Sequence, residues 1–324
     1  MKAMLVDENK NLVWSDVENP KIKPDEVLVK IKAAALNRAD LLQRQGKYPS
    51  PEGCPAWMGL EIAGEIVEVG NEVTSWKIGD KVCALLGGGG YAQYVAVKYD
   101  MLMPVPKGLS MEEASALPEA YATSYLNLFI EGNLEAGQTA FIPAGASGLA
   151  SVAIPMAKAF GARVITSVLS DDIAEKIKPL GADVVINSAK EDVAQILEKE
   201  EINGTPVNVS MDCLSGETLG KSLPYMARGG YWIVISTLAG VQTNIQLRPL
   251  LTKGLHLVGS MLRNRTPEFK AYIIKELVEK VWPKIESGEI KPSIYKVLPM
   301  EKAEEAHAIL ERGENIGKVV LSIE

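Results

Sequence analysis

The run Gly145-Ala146-Ser147-Gly148-Leu149-Ala150 has the residue types and spacing of a phosphate-cradling turn. It follows the short apolar stretch Thr139-Ala140-Phe141-Ile142 and opens a stretch of helical character, Gly148 to Phe160. This is the strand-turn-helix context that a dinucleotide fingerprint requires. Gly145 permits a tight turn, Ser147-Gly148 leaves the backbone open where a pyrophosphate approaches, and Ala150 is small enough for helix and strand to pack closely. The phosphates then rest on the helix amino terminus and its dipole. Small residues also serve close helix packing alone, and it is the position of the run that favours the phosphate reading. Pro155, inside the same helix, removes a backbone hydrogen bond and predicts a kink.

Selectivity for NAD commonly rests on a carboxylate at the end of the second strand, about 20 residues past the glycines. Here that strand ends Thr166-Ser167-Val168-Leu169-Ser170, with no carboxylate before Asp171. The first reading is NADPH, with Ser170 near the 2′-phosphate and NADH as the alternative. Ser170-Asp171 suits the cap of the next helix equally well. A metal centre is not expected. Tetrahedral zinc needs three or four Cys, His or carboxylate ligands, and Cys54, Cys83, Cys213, His256 and His307 are scattered along the chain. The cysteines read as small buried hydrophobes and the histidines as packed within regular elements.

Two kinds of element must position these residues. Up to about Pro118, short Val- and Ile-rich stretches such as Glu26 to Ile31, Ile62 to Gly70 and Tyr91 to Val97 are bounded by turn residues and predict a barrel-like β domain. After Leu117-Pro118 the rhythm changes. A helix from Tyr121 to Ile130 leads into Thr139 to Ile142. Strands then alternate with helices: Arg163 to Thr166, Asp172 to Leu180, Val184 to Ile186, Glu191 to Glu200, Val207 to Met211, and on to Trp232 to Ile235 and Leu255 to Val258. That alternation predicts a doubly wound parallel sheet. The tail shows a long amphipathic helix, Thr266 to Ser287, a further helix, Met300 to Arg312, and the strand Lys318 to Leu321.

The 324 residues, 47% hydrophobic and 23% charged, suit two globular domains. No stretch approaches the ~20 apolar residues needed to span a bilayer, and the amino-terminal residues do not read as a secretory signal. Three widely spaced cysteines fit a reducing, cytoplasmic compartment. A net charge of -7 gives no footprint for nucleic acid.

Further motifs carry a family likeness. Asn37-Arg38-Ala39-Asp40-Leu41-Leu42-Gln43-Arg44-Gln45-Gly46-Lys47-Tyr48-Pro49 and Gly59-Leu60-Glu61-Ile62-Ala63-Gly64 are joined in order by Gly79-Asp80-Lys81-Val82, Pro118-Glu119-Ala120, Thr123, the Gly145 turn, Leu180-Gly181-Ala182-Asp183, Leu262-Arg263-Asn264-Arg265 and Asn315-Ile316-Gly317-Lys318. The chain resembles, nearly end to end, the zinc-free, zeta-crystallin-like quinone oxidoreductases of the medium-chain dehydrogenase/reductase superfamily. That resemblance implies an α/β protein with a GroES-like β-barrel catalytic domain, 1–118, a Rossmann cofactor domain, 119–259, and a segment, 260–324, that returns to the catalytic domain. It places the active site between the domains. It further implies hydride transfer from NADPH to a quinone or similar electrophile, in a homodimer.

Carried over by residue, the likeness makes Asn37, Thr123, Gly145, Ser147, Gly148, Leu149, Ala150, Ser170 and Lys318 cofactor contacts. Tyr48 lines the substrate pocket, Ser147 also lies near substrate and nicotinamide, and Leu262 borders the nicotinamide side. Leu60 and Asn37 stand where zinc-dependent relatives carry a histidine and a cysteine ligand. Two departures bear on NADPH: the usual lysine and tyrosine near the 2′-phosphate are Ile173 and Ser188 here. Without a metal, polarisation of the acceptor falls to hydrogen-bond donors such as the Tyr48 phenol, which either donates to the developing oxyanion or orients the ring. An alkenal or enoyl reductase on the same scaffold, and a zeta-crystallin-like binding protein that includes RNA among its ligands, are the rival readings.

Overall fold

Alternation of apolar side chains along short strands builds a parallel sheet in the middle of the chain. The structure, a computed structural model, describes residues 1–323. Six parallel strands run in the spatial order Val184–Asn187, Arg163–Val168, Thr139–Ile142, Val207–Asp212, Met226–Val234 and His256–Gly259. Ala140 and Ile142 pack with Ala150, Ala153, Ile154 and Ala157 of the helix Ala150–Ala159. Phe141 between them packs with Leu197, Leu219 and Leu223 on the other face. Both faces are apolar because helices cover both. The strand order reverses between Thr139–Ile142 and Val207–Asp212, and in open α/β sheets that switch point is where ligands bind.

The remainder builds a seven-stranded sheet, in the order Ile294–Pro299, Lys318–Ser322, Glu26–Ala35, Glu61–Val69, Lys81–Leu85 and Leu102–Pro104, with Tyr94–Lys98 also paired to Glu26–Ala35. Val27, Val29 and Ile31 share one core with Tyr91, Leu298, Ile309, Val319 and Leu321. The tail strand Lys318–Ser322 lies antiparallel to Ala33, Ala34 and Ala35. Among the described residues no helix is long and apolar enough to cross a membrane.

The chain divides into two compact units, Met1–Ala122 with the segment from Thr266 onward, and Thr123–Arg265. Both seams lie beyond those read from the sequence, 118 and 259. Leu117-Pro118 marks the start of a helix, Pro118–Tyr125, that runs through the first seam. At the second, the Ser260 N–H still bonds the Val234 carbonyl at 3.0 Å and keeps the chain on the parallel sheet.

Other elements depart from expectation for local reasons. The helix predicted over Tyr121 to Ile130 starts at Pro118 and turns π-helical over Leu126–Glu131. The predicted tail helix Thr266 to Ser287 is two, Pro267–Lys280 and Trp282–Glu286. Pro283 has no N–H to donate back along the first helix, and its ring crowds the preceding turn.

Candidate functional site

The turn after Thr139–Ile142 is shaped by one left-handed residue and one close approach. Ala144, not Gly145, has the positive φ, 57°. Gly145 is needed because a Cβ there would meet Thr166 Oγ1 at 2.5 Å and Ile177 Cδ1 at 2.9 Å. Thr166 itself is fixed by donating to the Ile142 carbonyl at 2.6 Å. The Ser147 N–H closes the turn on the Ala144 carbonyl at 2.8 Å. Ser147 Oγ accepts from the Ala150 N–H at 3.1 Å, which leaves its hydroxyl proton to be donated outward. The N–H groups of Gly148 and Leu149 have no acceptor among the described residues. Two backbone donors at the start of a ten-residue helix, on an uncluttered turn at the switch point, fit a pyrophosphate. Pro155 lies within that helix, as the sequence indicated.

At the ends of the second and third strands, Ser170 is the N-cap of the helix Asp171–Ile177 and its side chain accepts the Ile173 N–H at 3.2 Å. Ser188 turns back, donating to the Val168 carbonyl at 3.0 Å. A group that the sequence did not single out gathers here: Asp171 accepts from Asn187 Nδ2 at 2.6 Å and pairs with Lys190. These bonds hold the Asp171 carboxyl below its ordinary range, the Lys190 bond most of all.

In the other unit, Asn37 and Lys318 are brought together, but on a carboxylate. Lys318 Nζ donates to the Leu36 carbonyl at 2.7 Å and to Asn37 Oδ1 at 2.8 Å, and pairs with Glu61 Oε1 at 2.7 Å. Asn37 Nδ2 also reaches Glu61 Oε1, at 2.9 Å, and the Glu119 N–H donates to Glu61 Oε2 at 2.8 Å. Glu61 is 0% exposed and the Lys318 side chain 4%, so every ammonium donor must be, and is, used within the protein. Beside this pair Asp40 accepts from the Asn37 N–H at 2.8 Å and from the Tyr91 hydroxyl at 3.0 Å. Burial pushes the Asp40 carboxyl up to about 6, against those bonds, the Gly59 N–H and the positive Lys318. The Tyr91 phenol is pushed well above its usual range by burial and by Asp40. Sequence reasoning missed Asp40 and Tyr91; the Asn-x-x-Asp spacing of a capping box was the signal available for the first.

The other expected residues divide between the units. Tyr48 is half-buried in the loop after the helix Arg38–Arg44, a loop tied down by Gln43 Nε2 on the Ala56 carbonyl, 3.0 Å, and Ser50 Oγ on the Pro55 carbonyl, 2.6 Å. Thr123, in the sheet unit, accepts from Asn127 Nδ2 at 2.7 Å through its carbonyl. Leu262 is buried. Of the cysteines only Cys83 is fully buried; Cys54 and Cys213 are half-exposed, because both stand in connections outside the strands. His256 is not packed in a core: it is exposed on the last strand of the sheet and stacks on Tyr231 at 4.2 Å. Among the described residues no three His, Cys, Asp or Glu side chains gather to hold a metal.

The model of the alcohol dehydrogenase GroES-like domain matches residues 23–107, and that of the zinc-binding dehydrogenases matches residues 180–321. A quinone oxidoreductase-like protein 2 homolog of Nematostella vectensis is 32% identical over 301 residues, covering 92% of this chain and 81% of the relative. The chain belongs to the quinone oxidoreductase family of the medium-chain dehydrogenase/reductase superfamily. A 2-methylene-furan-3-one reductase of Solanum lycopersicum is 33% identical over 320 residues, covering 95% of this chain and 74% of that one. A solved alcohol dehydrogenase superfamily protein from Novosphingobium aromaticivorans superposes with a TM-score of 0.86 at 30% identity over 100% of both chains. The two units are therefore a GroES-like domain and a Rossmann-like domain. The family is one of oxidoreductases, and its chemistry implies a nicotinamide cofactor.

Proposed function

We propose that this family member is an NADPH-dependent quinone reductase that works without zinc. The observation that carries the reading is the turn at Gly145, whose free backbone donors lie at the switch point of the sheet. Gly148 and Leu149 bind the pyrophosphate, with Gly145 and Ala150 keeping the approach open. The bound cofactor supplies the reducing equivalents. Lys190 and Ser170 favour the 2′-phosphate: the lysine missing at Ile173 is replaced by one from the opposite loop, held beside the strand end by Asp171. Thr123 and Leu262 complete the cofactor contacts.

Ser147, with a hydroxyl proton to give, orients the acceptor and donates to the oxygen on which charge develops; Tyr48 keeps the substrate-lining role that the family likeness implies. Asn37 and Lys318 are engaged with Glu61 in their own unit rather than presented as open contacts. The same pairing supports a zinc-free reaction, since the cation that neutralises Glu61 is an ammonium and Leu60 is no ligand.

The name of the tomato relative favours a second reading, reduction of an activated C=C bond. Comparison of kcat/KM for a benzoquinone with that for a conjugated enone, both with NADPH, decides between them. A higher value for the quinone is expected; a higher value for the enone transfers the chain to the second reading.

The proposal extends to a homodimer in the cytoplasm. The last strand of the parallel sheet, His256–Gly259, is an edge with exposed backbone, and Leu251, Leu257 and Met261 near it are exposed apolar side chains. Three cysteines, few and widely spaced along the chain, suit a reducing compartment.

A further inference from the structure

Asp212, at the end of the strand Val207–Asp212, is 2% exposed and has no place in the reading above. Its carboxylate accepts three hydrogen bonds: from the Leu214 N–H at 2.8 Å, the Ser215 N–H at 2.9 Å and the indole N–H of Trp232, itself fully buried, at 2.8 Å. The loop it grips is strained, with Ser215 at φ 59° and ψ -140°, a conformation that glycine adopts and other residues resist.

That loop is laced to the one after the next strand. Ile235, Leu238 and Ala239 donate their N–H groups to the Asp212, Cys213 and Leu214 carbonyls at 2.9, 3.2 and 2.8 Å. Ser215 Oγ donates to the Ser236 carbonyl at 2.8 Å, and Ser215 forms a parallel bridge with Gly240. A Cβ on Gly216 would press against the Ala239 carbonyl oxygen at 3.1 Å. The whole assembly sits at the carboxyl edge of the sheet, on the far side of the switch point from the Gly145 turn. The strand that carries Asp212 pairs with the strand that leads into the Gly145 turn, Ser210 standing opposite Phe141.

A strained loop is held this way where something else depends on its shape. We propose that Asp212 is a positioning residue that fixes the loop from Cys213 to Gly216 as the seat of the nicotinamide half of the dinucleotide, an inference that rests on the cofactor reading above. The turn at Gly145 serves the pyrophosphate and the strand ends at Ser170 and Lys190 serve the adenosine half. Asp212 therefore governs only the remaining part of the same ligand. Burial raises the Asp212 carboxyl above its ordinary range against its three bonds, as befits a group set by structure rather than by solvent.

The test is calorimetric titration of the full chain and its variants with NADPH and with 2′,5′-ADP, which lacks the nicotinamide half. In Asp212→Asn the amide oxygen can accept from the Leu214 and Ser215 N–H groups only if the amide NH2 is turned on the Trp232 indole N–H, donor against donor. The substitution is expected to weaken NADPH about tenfold, ~1.4 kcal/mol, and 2′,5′-ADP by less than about twofold. Ser215→Gly suits the local backbone, keeps the fold, and removes the tie to Ser236. It is expected to weaken NADPH about threefold with 2′,5′-ADP unchanged, and it decides the matter alone if the Asp212 variant does not fold. Equal loss of both ligands, or unchanged NADPH affinity in Ser215→Gly, overturns the role given to Asp212. Failure of the unaltered protein to bind either ligand overturns the cofactor reading, and this inference with it.

Discussion

Asp40 and His307 pull the acid stability of the GroES-like unit in opposite directions. Both touch Tyr91, Asp40 through the hydroxyl and His307 edge-on at 5.9 Å. Asp40 has a folded value of about 6 against 3.8 for the ordinary side chain, so the native state holds its proton more tightly. The stability it contributes is full below 3.8 and is lost as the pH rises through about 6, on the order of 3 kcal/mol in all. His307 is fully buried, with neither ring nitrogen bonded among the described residues, and burial pushes it down from 6.5 to about 3. Its contribution is complete above 6.5 and is lost as the pH falls toward 3. Between about pH 4 and about pH 6 the two therefore offset each other. In Asp40→Asn only the histidine remains, and the urea midpoint is expected to climb more steeply over that range than in the unaltered protein; parallel curves would refute this.

Little of this pairing was legible in the sequence. Lys318 and Asn37 are 281 positions apart, and only the family likeness associated them, with a cofactor rather than with Glu61. Gly145 was legible as a glycine required by geometry, but the reason is a neighbouring strand, because Thr166 fills the space where its Cβ would stand.

Among the elements, those with a strong period were the most legible. The inner strands of the parallel sheet were legible because runs buried on both faces leave little other reading, although the strand Met226–Val234 begins well before the predicted Trp232. The tail helix was read as one because its apolar period continues past Val281, although Pro283 breaks its hydrogen bonds. The helix Asp171–Ile177 poses a question that the sequence left balanced. Its cap, Ser170, is engaged by the Ile173 N–H, and the cap alone is worth about 1 kcal/mol. Ser170→Ala is expected to lose that stability in chemical denaturation. It is also expected to weaken NADPH more than NADH in parallel titrations, since only NADPH carries the 2′-phosphate. Equal weakening would reduce Ser170 to a cap.

For the whole molecule, the sequence read as two domains with a returning tail and put the seams at 118 and 259, where punctuation marks element starts; the compact units divide after Ala122 and Arg265, where contacts change. The exposed edge at His256–Gly259 is a feature of assembled strands and no local pattern discloses it. A charge placed there blocks edge pairing. The unaltered chain is expected to sediment as the proposed dimer and Leu257→Lys as a monomer; a variant that stays dimeric would move the interface elsewhere. The measurement that bears most directly on the cofactor reading is calorimetric titration of the unaltered protein with NADPH and with NADH. One site per chain, with NADPH bound at least about tenfold more tightly, is the expected result. Binding of neither nucleotide would contradict the account at its centre, and tighter binding of NADH would contradict the part given to Ser170 and Lys190.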